Sequence, residues 1–163
     1  MCIMWFTKKT PKEWTFDDKL VVNWNVQTKS KYDMVTITKL ILSEILGIKD
    51  IELTVVTNDN QVSKFDTKDF ELRAMLTGNP NIKKYTLLIR SNVGSSELLS
   101  IICHEMVHLN QMNKGWLSIV GYDFKWKGKF YPGSTPYFDR PWEQDAVKEQ
   151  SEIERKVKKL YYK

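Results

Sequence analysis

The segment His104-Glu105-Met106-Val107-His108 contains both histidines of the chain, four residues apart, with a glutamate directly after the first. On a helix, residues four apart share one face, so both imidazoles can reach a single ion. Glu105 is turned about 100° from His104 around such a helix. It is therefore poorly placed to be a ligand beside the histidines, and well placed to hold a water that the ion also binds. Zinc lowers the pKa of such a water toward neutrality, and a carboxylate can take its proton as attack on a carbonyl begins. The competing reading, two buried histidines on one face with no charged partner, is energetically costly. The spacing predicts a Zn²⁺ site with His104 and His108 as ligands and Glu105 as general base.

A catalytic zinc usually takes three protein ligands and keeps one position open. With no third histidine, the remaining ligand must be a carboxylate or a thiolate. Cys103 points away from the His104–His108 face. The segment Trp142-Glu143-Gln144-Asp145-Ala146 offers two carboxylates. Glu143 is the first choice, because Ala146, one turn on, is small enough to let its helix approach the zinc helix closely. Asp145 is the alternative. Gln111 shares the face of His104 and His108 and is a candidate to orient a ligand.

The two motifs together resemble the small zincin metallopeptidases of the gluzincin type, in which a glutamate from a later helix completes the zinc site. Glu143-Gln144-Asp145-Ala146 resembles the E-x-x-A of ImmA/IrrE-type peptidases. Phe124-Lys125-Trp126-Lys127-Gly128-Lys129 ahead of Pro141-Trp142-Glu143 resembles small SprT-like metallopeptidases common in phage genomes. The resemblance spans about residues 85–150 and rests on the two motifs. The chain departs from SprT proper, which uses a third histidine. The resemblance implies a peptidase fold in which an extended substrate pairs with an edge strand above the zinc helix. Phe70–Leu76 and Tyr85–Arg90 are the two candidates for that strand. It also implies a side chain that stabilises the oxyanion, for which Tyr137 is the candidate.

The elements that must position these residues are legible in outline. Ser95 or Ser96 can cap a helix that Gly115 closes, with apolar residues pointing in almost every direction, the pattern of a buried helix. Pro141 opens a last helix running to about Tyr161, with a stripe of Trp142, Ala146, Ile153, Val157 and Leu160. Apolar spacing predicts an earlier helix over Thr36–Leu46 with Gly47 as its stop. Strands are expected near Leu20–Val26 and over Ile51–Val56. Phe70–Leu76 and Tyr85–Arg90 should form a hairpin around Thr77-Gly78-Asn79-Pro80-Asn81. Tyr122–Phe130 reads as a strand or hairpin around Gly128, followed by a loop over Tyr131–Arg140. The expected fold is α+β and zincin-like: a small mixed or antiparallel sheet packed on the buried HExxH helix, with a C-terminal helix completing the metal site.

Composition narrows the remaining possibilities. The 163 residues suit one domain, 1–163, and 42% apolar with 28% charged residues excludes collagen-like, low-complexity and wholly disordered chains. No apolar run approaches the roughly 20 residues of a membrane span, so no membrane partner is expected. Met1–Phe6 is apolar but is followed, not preceded, by Lys8, Lys9 and Lys12, so it does not read as a secretory signal. A cytoplasmic location and reduced thiols at Cys2 and Cys103 follow as expectations. The net charge of +5 is accounted for by Arg155, Lys156, Lys158, Lys159 and Lys163, a basic helix end that favours the C-terminal dipole. Nucleic acid is not the expected partner; a peptide or protein substrate is. The sequence thus points to a zinc metallopeptidase hydrolysing peptide bonds. The alternative is a non-catalytic zincin-fold module that keeps the metal for structure or protein binding.

Overall fold

The computed structural model describes residues 13–68 and 70–162. Cys2, the Met1–Phe6 segment with its trailing lysines, and Lys163 lie outside the described residues. The chain folds as a mixed α+β structure. Four strands, β1 (Val21–Asn25), β2 (Glu52–Thr57), β3 (Ala74–Asn79) and β4 (Lys84–Ile89), form a sheet in the order β1-β2-β4-β3. β1, β2 and β4 run parallel, and β3 pairs antiparallel with β4. Alternation buries Leu53 and Val55 of β2 with Leu87 and Ile89 of β4.

The parallel pairing of β1 and β2 requires a crossover, supplied by α1 (Met34–Leu40) and a π-helical turn over Ile41–Ile45. Asp33 caps α1 by accepting from the amides of Val35 and Thr36, so the helix begins two residues before the expected Thr36. The wide turn shifts the period: Leu42 is fully buried, while Ile45 and Leu46 are only half-buried. A short helix, α2 (Asp59–Ser63), follows β2 and has no counterpart among the expected elements.

The β3–β4 hairpin lies a few residues later than its turn signals suggest. The strand runs through Thr77-Gly78-Asn79, and the turn occupies Pro80–Lys83. Gly78 pairs with Tyr85, and a Cβ at this position would collide with the Tyr85 ring. That glycine serves a close approach between strands rather than a bend.

The long helix α3 (Ser95–Asn113) buries eleven of its 19 residues. Its N-cap is Gly94 rather than either serine, and the Glu97 side chain reaches back to accept the Gly94 amide at 3.2 Å. A second sheet follows, the antiparallel meander β5 (Leu117–Val120), β6 (Asp123–Trp126) and β7 (Lys129–Tyr131). Lys127 and Gly128 both take positive φ, 49° and 86°, the pairing that a two-residue hairpin turn demands. After a 3-10 turn at Tyr137–Asp139, α4 (Pro141–Tyr161) packs along α3. Its buried stripe is Trp142, Ala146, Ile153, Val157 and Tyr161; Leu160 is only half-buried. Tyr161 takes the inward place, its hydroxyl accepting the Asp33 amide at 3.0 Å.

Candidate metal centre

Burial of α3 sets the orientation of His104 and His108, which project one turn apart from the same side. α4 supplies the third group from its first turn. Trp142, 1% exposed, locks the start of α4 into a cluster of rings, with centroids 4.7 Å from Phe124, 5.3 Å from Tyr131 and 6.4 Å from Trp126. Glu143 follows directly, and Ala146 on the next turn is completely buried. The small side chain lets the two helices approach.

Three ligand atoms converge there. Glu143 Oε1 lies 2.7 Å from His108 Nε2 and 3.0 Å from His104 Nε2, and the two imidazole nitrogens are 3.2 Å apart. His104, His108 and Glu143 form the one group among the described residues with three side chains placed to hold a metal ion. Asp145, the alternative ligand, is directed elsewhere: its carboxylate accepts from Gln111 Nε2 at 2.9 Å.

The outer contacts decide which nitrogen carries the proton. Gln111 is 1% exposed, and its Nε2 donates to the Trp142 carbonyl at 3.1 Å as well as to Asp145. Its amide oxygen must then face His108 Nδ1, 2.9 Å away, which must donate. In the neutral imidazole this leaves a bare lone pair on Nε2, aimed at the Glu143 carboxylate. Gln150 Oε1 lies 3.0 Å from His104 Nδ1, the corresponding contact on the other ring. Lone pairs facing one another without a positive charge between them repel, so the arrangement calls for a cation. Two imidazole nitrogens and one carboxylate oxygen match the donor set of a zinc ion with a position left open.

The ionisation of these groups tells the same story. Burial pushes His108 down, but the hydrogen bond and charge of Glu143 outweigh it and raise His108 to about 9. Burial likewise pushes Glu143 up, yet the two histidines pull it down to about 2. Without a metal, a proton takes the cation's place.

Glu105 stands outside the converging group. Its carboxyl is buried, and that burial raises its pKa, reinforced by the charge of Glu143 and opposed by the histidines. Tyr137 faces Glu143 from the loop before α4; burial, then the neighbouring carboxylates, raises the phenol, which stays protonated. Cys103 is buried away from the histidines, and burial first, then the Glu154 charge, pushes its thiol up to about 12.

Gln150 is the site residue that motif reading overlooks. It lies seven residues after Glu143, and thus on the same helical face, which is the signal that identifies it. No protein family, curated protein or solved structure compared with the chain matches it.

Proposed function

We propose that this protein is a zinc-dependent peptidase of zincin-like fold, with His104, His108 and Glu143 as ligands of Zn²⁺. The observation that carries the reading is the combination of a convergent two-histidine, one-carboxylate group with a separate buried carboxyl, Glu105, one residue along the same helix. A purely structural metal has no use for Glu105. A raised carboxyl beside the metal is suited to accept a proton and return it.

Zinc held in this group would polarise a peptide carbonyl and acidify water. Glu105 accepts the proton of the attacking water and delivers it to the departing amine nitrogen. Tyr137, kept protonated, donates a hydrogen bond to the oxygen that gains charge in the transition state. The mixed sheet provides the substrate rail. β4 is paired on both sides, so of the two candidate strands β3 is the one with a free edge, available for pairing with an extended chain.

The deciding experiment compares zinc-loaded wild type with Glu105→Gln on a mixed peptide library read by mass spectrometry. Wild type is expected to cleave, and Glu105→Gln should retain zinc but lose at least about 10²- to 10⁴-fold in rate. A zinc-loaded wild type that cleaves nothing would assign the chain to the non-catalytic, metal-keeping modules instead.

A further inference from the structure

Tyr137, which faces Glu143, is flanked by two further aromatic rings that the catalytic reading does not use. Tyr137 faces Glu143 through its hydroxyl, while its ring lies 5.4 Å from Phe70 and 5.6 Å from Phe138, centroid to centroid. Phe138 is 84% exposed and Phe70 42% exposed. Such exposure is costly for phenylalanine, and here it does not come from a loose loop. Gln144 Nε2 donates to the Phe138 carbonyl at 2.8 Å, and Arg140 Nε to the Thr135 carbonyl at 2.9 Å, with the guanidinium stacked on Phe124. The ring of Phe138 is thus held out into solvent by a braced backbone.

Phe70 lies in the segment that leads into the edge strand β3. That segment is braced as well: Asp66 pairs with Arg90, Glu71 pairs with Arg90 and Arg73 at 2.9 Å, and the Leu72 amide donates to Asp66 at 2.8 Å. Asp66 and Glu71, the acids these contacts pair, are therefore neutralised. Phe70 lies four residues before β3, the strand on which a substrate would lie, and Tyr137 faces Glu143, in the group that would hold the metal.

We infer that Phe70, Tyr137 and Phe138 form a subsite that selects a large apolar side chain of the substrate close to the scissile bond; the inference rests on the peptidase reading above. The occupant is a Phe, Tyr, Leu or Met side chain, which covers the two exposed phenylalanine rings that a polar or charged side chain would leave wet. Phe70 and Phe138 are specificity residues, and neither takes part in the proton transfers assigned to Glu105.

The test profiles a mixed peptide library with zinc-loaded wild type, Phe138→Ser and Phe70→Ser. Wild type should favour a large apolar residue at one fixed position from the cleaved bond by about ten- to a hundredfold in kcat/KM. Each variant should lose most of that preference with unchanged zinc content; both positions are exposed enough for the variants to fold. Cleavage with no apolar preference, or with a preference that both variants retain, overturns the subsite while leaving the peptidase reading intact. If wild type cleaves no peptide, the peptidase reading falls, and a second measurement judges the rings: N-acetyl-phenylalaninamide titrated into the zinc-loaded chain should shift the ring resonances of Phe70 and Phe138 where N-acetyl-asparaginamide does not. Equal shifts with both amides, or variants that change only the oligomeric state by light scattering, would assign the rings to another surface role and end the proposal.

Discussion

Gln111 connects three groups at the site: the His108 imidazole, the carbonyl that immediately precedes Glu143, and the carboxylate of Asp145. Replacing it with leucine removes the acceptor that commits His108 to the useful tautomer and the side-chain donor that the Trp142 carbonyl and Asp145 share. Zinc affinity should fall about 10- to 100-fold, measured by competition with a chromophoric chelator. The paired change Gln111→Glu with Asp145→Asn returns an acceptor to His108 and a donor to the partner. It should recover part of the loss, which a merely space-filling role for Gln111 would not predict. Glu143→Ala should weaken zinc retention further, since it removes a ligand; zinc content equal to wild type would reassign the third-ligand role.

At the scale of elements, Trp142 determines where α4 begins. Its ring cluster with Phe124, Trp126 and Tyr131 couples the meander to the start of α4, so the second sheet acts as a buttress for Glu143. Trp142→Ala should cost about 3–5 kcal/mol in urea unfolding and reduce zinc affinity with it. Unchanged zinc affinity would mean that Glu143 finds its place without the meander. The segment from α2 to β3 depends on a different anchor. Asp59 accepts from both the hydroxyl and the amide of Ser91, and these bonds hold its carboxyl below the ordinary 3.8. Because the folded state prefers the carboxylate, this contribution is present above pH about 4 and is lost as pH falls through the lowered value. Wild type should therefore exceed Asp59→Asn in stability near pH 6, with the gap closing below pH 4, in thermal unfolding scans over that range.

Over the whole molecule, the proposed ion joins α3 to α4, two helices that otherwise meet through side-chain packing and hydrogen bonds such as Ser100 to Glu154 at 3.0 Å. Anything that binds the folded chain alone stabilises it, by about 2.7 kcal/mol at a hundredfold excess over Kd. Zinc should raise the unfolding midpoint by roughly 5–10 °C under that condition, a chelator should reverse the shift, and His108→Ala should abolish it. The basic end of α4 contributes little to this balance. Arg155 and Lys156 pair with Glu152 and Lys158 with Glu154, exposed contacts of the kind that screen one another in water.

What the sequence by itself determined is local. The four-residue spacing of His104 and His108 requires only a helix to bring them together, and α3 and α4 are readable from apolar period, Pro141 and Gly115 because each signal acts within a turn or two. Gly128 marks a strand or hairpin over Tyr122–Phe130 for the same reason, and the positive φ at Lys127 and Gly128 makes it the β6–β7 hairpin. Tertiary structure decided the rest. Glu143, rather than Asp145, meets the histidines because Trp142 seats in a pocket built by a separate sheet, an event no spacing along α4 encodes. Likewise, β3 rather than β4 has the free edge because β2 pairs with β4 across more than thirty residues of chain. Gly78 reads as a turn residue until Tyr85 is laid against it. Contacts between distant segments depend on how surfaces interlock, and a periodic pattern states only which surface faces inward.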